Sequence, residues 1–252
     1  RRATRQVLVG TRFQNLPILS ASASFKTGGR AGPDYYTDIP PGPLCLRHAA
    51  DLYAFPNLLC ALHITGSELR DWLERTAIGF RKIIAGEQGQ LLCDPDVPSH
   101  QFDIVDGVSY EIDLSQPPRY ALSGQIINPD AHRICNLRCG GIPITDDQEF
   151  ILATNNYRAF GGGPYPTARP EQLAYTGRQL LRDVVADFIR SEGVTAITTR
   201  PDENWKFCPM PGTEAILQTG PGLRRYPSDI TNLGARDLGN DDDGFMRLAL
   251  PL

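Results

Sequence analysis

The chain is short of the groups that announce a self-sufficient catalyst. Its four histidines, at 48, 63, 100 and 132, never stand in HxxxH or HExxH spacing, so the paired imidazoles of a helical zinc site are excluded. No GxSxG elbow is present, which removes the usual serine-hydrolase nucleophile. Gly161-Gly162-Gly163 is not followed by GK[ST] and does not read GxGxxG, so neither a P-loop nor a dinucleotide fingerprint is available. Six cysteines, at 45, 60, 93, 135, 139 and 208, form no CxxC, and the Cys135/Cys139 spacing lacks a second pair to complete a zinc site. Free thiols are expected, with one or two disulfides open if the protein is exported, so cysteine usage does not decide the compartment. The acidic run from Gly239 to Gly244 fails as an EF-hand because position 239 is glycine, and it reads as a solvated turn.

Charge of one sign is also missing. With 25 basic and 29 acidic residues the net charge is −4, which argues against a nucleic-acid polymer or an anionic membrane as partner. No apolar run approaches the roughly 20 residues needed to cross a bilayer. The first 20 residues are basic without an apolar stretch ending in small residues, so they are not a signal peptide. They read as the start of a chain cut out of something longer.

What is there suits one α+β domain. The 252 residues, 41% of them hydrophobic, can bury a substantial core, and no internal repeat or low-complexity tract divides them. Thr65-Gly66-Ser67-Glu68 reads as a capping box ahead of Leu69, Trp72, Leu73 and Ala77 on one helical face. Thr176-Gly177-Arg178-Gln179 reads as a second box, followed by Leu180, Leu181, Val184, Val185, Phe188 and Ile189 at helical spacing and by Gly193 as a stop. Between these helices the period changes to two. Residues 102–115 alternate around Asp106-Gly107, which predicts a hairpin. Residues 133–144 turn at Gly140-Gly141, 149–157 form a strong apolar strand, and 245–250 a last one. The stretch 194–240 predicts mostly loop. Helices grouped between runs of strands favour α+β, a mixed sheet with a few packed helices, over regular βαβ alternation.

Three segments look like binding equipment. Lys26 and Arg30 flank Gly28-Gly29, so cationic donors stand beside a backbone that a ligand can approach, and a guanidinium fork suits phosphate or carboxylate. Two solvated cations on a loop are an equally good account of that pattern. Phe55 precedes Pro56-Asn57 in a stretch, 51–59, too irregular for a regular strand or helix; it is a core aromatic or a stacking face beside an amide. The third segment, NNYRAFGGGPYP (155–166), ends a strand in an aromatic, a cation and nearly bare backbone, which is either a tight loop or a surface for something lying close to the main chain.

Taken together, LPILSASASFKTGGRAGPDYY, DLYAFPNLLCALHITGSELRDWLERTA, FDIVDGVSYEIDLSQPPRY and ILATNNYRAFGGG resemble the C-terminal domain of the 5′-nucleotidase family. They are closer to its periplasmic 2′,3′-cyclic-nucleotide 2′-phosphodiesterase/3′-nucleotidase branch. The likeness runs from about residue 16 to the end and includes ENWKF at 203–207. It implies a division of labour in which an N-terminal metallophosphoesterase domain holds two divalent metal ions and hydrolyses. The C-terminal domain binds the nucleoside and rotates to carry it there. The metal motifs of that first domain have no counterpart here, so the resemblance covers the substrate half, with 1–15 as residual linker and 16–252 as recognition domain. No cofactor is expected in this chain, which should be inactive alone.

Residue by residue, the resemblance implies that Phe55 and Tyr157 sandwich the base, that Asn57 lies near its edge, and that Arg30 is a cation of the substrate pocket. The backbone through Tyr157, Arg158, Ala159, Phe160, Gly161, Gly162 and Gly163 would wrap the ligand. Two positions depart from the pattern. Phe55 stands where tyrosine is expected in this branch, which keeps the π-face and loses a hydroxyl. Gly163 stands where relatives acting on 5′-nucleotides carry an acidic residue, which fits a different sugar-phosphate orientation. The implied partners are nucleosides, 3′-nucleotides, 2′,3′-cyclic nucleotides and the chain's own N-terminal domain, and the implied location is the periplasm. A stand-alone module that keeps the fold but has lost its nucleotide is the alternative.

Overall fold

A computed structural model describes residues 1–26, 31–166, 168–192 and 202–252. In chain order come α1 (Arg2–Val7), β1 (Ile18–Ala23), α2 (Leu46–Leu52), β2 (Leu58–Thr65), α3 (Gly66–Thr76), β3 (Gln90–Leu91), β4 (Asp103–Asp106) and β5 (Ser109–Ile112). Next are β6 (Ile134–Cys139), β7 (Ile142–Pro143), β8 (Glu149–Asn155), α4 (Asn156–Ala159), β9 (Leu173–Leu180) and α5 (Leu181–Glu192). The chain closes with β10 (Trp205–Phe207), β11 (Glu214–Thr219), α6 (Pro227–Asn232), β12 (Arg236–Asn240) and β13 (Met246–Pro251).

Three sheets organise these elements. The largest runs β4-β1-β8-β2-β9; β1 and β8 are parallel and the other neighbours antiparallel. Smaller four-stranded sheets run β10-β5-β6-β7 and β12-β13-β11-β3. Strand β8 is apolar on both faces because both are covered. Phe150 and Leu152 join the main core with Trp72, Leu73 and residues of the second sheet such as Ile112. Ile151 packs on the opposite face with Leu8, Ile18 and Ala61. A continuous rather than alternating apolar run is what two-sided burial requires.

Helix α3 forms where its sequence says. Glu68 N donates to Thr65 Oγ1 at 3.3 Å and Thr65 N to Glu68 Oε2 at 2.9 Å, a reciprocal capping box. Leu69, Trp72, Leu73 and Ala77 are all buried. The Gly140-Gly141 turn joins β6 to β7 with both glycines at positive φ, 57° and 82°, as a two-residue hairpin demands. Residues 149–155 and 246–251 are the expected strands.

Three expectations are corrected. Asp106-Gly107 is not a hairpin turn, because β4 pairs with β1 while β5 pairs with β6 and β10 in another sheet. The Thr176 box is part of β9, which pairs with β2, so α5 starts only at Leu181. Cross-strand pairing overrides a four-residue capping signal. The stretch 194–240 is not mostly loop, since β10, β11, α6 and β12 fall within it. Gly193 lies outside the described residues. The irregular 51–59 segment narrows to 53–57, between the end of α2 and the start of β2. Residues 1–15, read as linker, carry α1, and Leu8 and Phe13 pack on the outer face of the large sheet. All six cysteines are free thiols.

Candidate functional site

Antiparallel pairing sets Leu59 of β2 opposite Asn155 of β8, so the segment entering β2 and the segment leaving β8 emerge at one end of the large sheet. Phe55 stands four residues before that level and Tyr157 two residues after it. Side-chain amides stitch the two segments together. Leu58 N donates to Asn156 Oδ1 at 2.8 Å, and Asn155 Oδ1 caps α4 by accepting from Arg158 N at 2.8 Å. The Tyr53 hydroxyl accepts from Asn57 Nδ2 at 3.2 Å and from Asn155 Nδ2 at 3.0 Å. Burial pushes the Tyr53 phenol up, and the two amides only partly offset it.

The rings of the site are left half in water. Phe55 is 46% exposed, Tyr157 48% and Phe160 59%. Behind Phe55, Phe25 packs edge-on with centroids 5.1 Å apart, and Phe25 in turn packs edge-on to Tyr53 at 5.1 Å. Such edge contacts, each worth about 0.5–1.5 kcal/mol beyond burial, brace an exposed ring. The segments that carry Phe55 and Tyr157 are joined by the amide stitching beneath.

The glycines after Tyr157 have separate reasons. A Cβ on Gly162 would lie 2.5 Å from the Tyr157 carbonyl oxygen and 2.6 Å from its ring, so the ring stands directly against bare backbone. A Cβ on Gly163 would lie 2.3 Å from Arg158 Nη1 and 2.8 Å from Gln101 Oε1, at a φ of +79°. A side chain at 163 therefore has no room while Arg158 and Gln101 stand where they do. Amides of the loop turn inward: Gly161 N donates to Arg158 O at 3.0 Å and Gly162 N to Tyr157 O at 2.7 Å.

Sequence reasoning grouped Arg158 and Ala159 with the residues around a ligand, and both are buried. The Arg158 guanidinium faces the core, donating from Nε and Nη2 to Asp103 at 3.1 and 3.0 Å. It also donates to the carbonyls of Gly162, at 3.2 Å, and His100. Burial works against its charge, but Asp103 outweighs it and the guanidinium is held more firmly protonated than usual. Asn57 is half-buried with its amide turned to Tyr53. Arg30 lies outside the described residues. Lys26 is ion-paired with Asp51 and lies over the Tyr35 ring at 5.5 Å. The pattern reading missed Phe25, Tyr53, Asn155, Asp103 and Gln101. Phe25 and Tyr53 both sat inside segments singled out for other residues, and no spacing rule picks them out.

A cavity of about 740 Å³ opens behind these rings, between α1, the outer face of β1 and β8, and α5. Phe25, Tyr53 and Asn155 reach it from the site, and Val184 and Phe188 of α5 form its apolar wall. Among the described residues no three His, Cys, Asp or Glu side chains are grouped to hold a metal ion. No helix among them is long and apolar enough to cross a membrane.

Residues 18–169 match the family described as 5′-nucleotidase, C-terminal domain. The trifunctional nucleotide phosphoesterase protein YfkN of Bacillus subtilis is 40% identical over 210 residues, covering 83% of this chain and 14% of that protein. The 2′,3′-cyclic-nucleotide 2′-phosphodiesterase/3′-nucleotidase of Haemophilus influenzae is 37% identical over 240 residues, covering 91% of this chain and 36% of that protein. In fold, a 5′-nucleotidase precursor from Thermus thermophilus aligns with a TM-score of 0.52 at 16% identity, over 75% of this chain and 31% of that one. The chain thus spans about a third or less of the length of these proteins.

Proposed function

The chain belongs to the 5′-nucleotidase C-terminal domain family, and on that premise we propose that it is the nucleoside-recognition domain of a 2′,3′-cyclic-nucleotide 2′-phosphodiesterase/3′-nucleotidase. Phe55 and Tyr157 are the two walls of a base clamp, Asn57 and Asn155 fix the spacing of the walls through Tyr53, Gly162 seats the Tyr157 ring, and Gly161, whose Cβ would meet no atom within 4 Å, leaves the main chain open to the ligand. The observation that carries this reading is the pair of half-exposed, braced rings on adjoining strand ends, one of them seated on glycine. Exposure alone is ordinary on a protein surface; what favours a ligand here is that both exposed rings are held in place, Phe55 by Phe25 and Tyr157 by the Gly162 backbone. Arg30 serves as the cation for the ligand's anionic group.

A two-ring clamp accepts any base because every base has a π-face, and each stack is worth about 1–3 kcal/mol. Two stacks give on the order of 2–6 kcal/mol, a Kd between about 30 mM and about 40 μM and centred near 1 mM. The ligands are nucleosides, 3′-nucleotides and 2′,3′-cyclic nucleotides, in keeping with the name of the Haemophilus influenzae relative. Hydrolysis belongs to a partner domain N-terminal to residues 16–252 that would bring two metal ions. The described side chains of this chain do not fit such a centre, and no step of the reaction is assigned to them. A periplasmic location for the whole protein is part of this proposal, and cell fractionation would check it.

The reading is tested by saturation-transfer NMR with adenosine at millimolar concentration. Transfer from the Phe55 and Tyr157 rings to the base protons is the expected result; transfer to the ribose alone, or none, overturns the clamp. A metal-supplemented assay on a chromogenic phosphodiester should show no turnover by this chain, and metal-dependent turnover would move the chemistry into it.

A further inference from the structure

We propose that Arg158 is the positioning residue of the nucleoside face, a buried strut through which helix α3 and Asp103 set where the Tyr157 ring stands; this inference rests on the clamp reading above. The family resemblance placed Arg158 among ligand contacts as part of the backbone from Tyr157 to Gly163 that would wrap the ligand. The structure assigns its side chain elsewhere. It is 3% exposed, and its donors are committed to Asp103, the Gly162 carbonyl and the His100 carbonyl.

The connections form a chain from rigid core to exposed ring. Trp72 of α3 donates its indole N–H to Asp103 Oδ2 at 3.2 Å, and Asp103 N donates to Thr76 Oγ1 at 2.9 Å. Asp103, now fixed at both ends, receives the Arg158 fork in the two-pronged geometry that best defines a guanidinium plane. The guanidinium carbon Cζ lies 4.5 Å from the Tyr165 ring centroid and 5.5 Å from that of Tyr157. Its Nη1 holds Gly162 O, the glycine on which the Tyr157 ring rests.

Asn155 caps α4 and Arg75 holds the Pro164 carbonyl, but among the described residues Arg158 is the side chain that bonds the Gly162 carbonyl. Helix α4 has four residues, too few to persist by its own hydrogen bonds. Apart from Arg158, only Ala159, Gly163 and Tyr165 of residues 157–166 are buried. Gly163 completes the arrangement by leaving free the volume that the guanidinium and Gln101 border.

The test measures amide hydrogen exchange of the ligand-free chain at Phe160, Gly161 and Gly162, beside adenosine affinity, in the wild type and in Arg158→Lys. Lysine keeps the charge but cannot span Asp103 and two carbonyls, so those three amides should exchange about tenfold faster or more. Core amides of Leu62 and Leu152 should stay as protected as before, and adenosine should bind about tenfold more weakly. In Arg158→Ala, guanidinium at sub-denaturing concentration should restore both loop protection and affinity. If removal of the buried cation unfolds that variant, Asp103→Asn combined with Arg158→Met takes its place, read by exchange alone. Unchanged exchange at 160–162 overturns the proposal, as does equal loosening of loop and core. Failure of the wild type to bind adenosine would sink the clamp reading, while the exchange arm would still judge Arg158.

Discussion

Gly162→Ala is the substitution that most sharply separates a ring seated on backbone from an incidental glycine loop. The added Cβ would stand 2.5 Å from the Tyr157 carbonyl oxygen and 2.6 Å from ring carbons, well inside contact distance. The carbonyl clash forces a shift of the 157–162 main chain, and the ring clash forces the Tyr157 ring off its seat. Overpacking of this kind costs about 1–3 kcal/mol in a packed site, and here part of that strain is relieved by ring movement into water. Losing one stack removes about 1–3 kcal/mol of ligand binding, so the adenosine Kd should rise roughly 5- to 150-fold. Gly161→Ala is the control. At φ +90° it carries left-handed strain of about 1–2 kcal/mol, but its Cβ would meet no atom within 4 Å, so Tyr157 stays in place. Calorimetric titration and the near-UV circular dichroism of both variants make the assay. If Gly162→Ala binds adenosine as tightly as Gly161→Ala, with the same tyrosine signal, Tyr157 is not the wall that the ligand leans on.

Other expectations follow from contacts away from the glycines. Tyr53→Phe leaves the Asn57 and Asn155 amides without their shared acceptor, and should destabilise the chain by about 1–3 kcal/mol in urea unfolding while weakening adenosine binding through the loosened Phe55 segment. Thr65→Ala removes the α3 cap and should cost about 1 kcal/mol by the same measure, with binding unchanged. Burial raises the Glu74 carboxyl above its usual 4.5, against hydrogen bonds from the Ile134 and Arg133 amides. An acid with a raised folded-state pKa contributes stability that is full below the unfolded value and is lost as pH rises through the folded one. Urea midpoints of wild type should therefore fall relative to Glu74→Gln from about pH 4.5 upward; parallel curves for the two would refute that assignment.

How much of this was legible from the sequence depended on how local each signal was. The α3 box is four consecutive residues acting on one another, and it formed as read. The Gly140-Gly141 turn is equally local, because two residues at positive φ leave the chain little choice. The Thr176 box opened on the same Thr-Gly pair and failed, since eight residues of β9 gain more by pairing with β2 than four gain by capping a helix. Asp106-Gly107 misled for a related reason: alternation on both sides of a glycine says nothing about which sheet each strand joins. At the site, Phe55 and Tyr157 were named through a resemblance, not through spacing, and it is the β2–β8 register that brings the segments carrying them to one end of the large sheet. Arg158 could not be understood from its neighbours in sequence, because its carboxylate partner is Asp103, 55 residues away.

The central claim is that the isolated chain holds a nucleotide between Phe55 and Tyr157. Calorimetric titration with 3′-AMP into the millimolar range, run beside Tyr157→Ala, addresses it most directly. Saturable binding by the wild type that is weakened at least about fivefold in the variant is the expected result. Binding of equal strength in both proteins, or heat of dilution alone in the wild type, would contradict it.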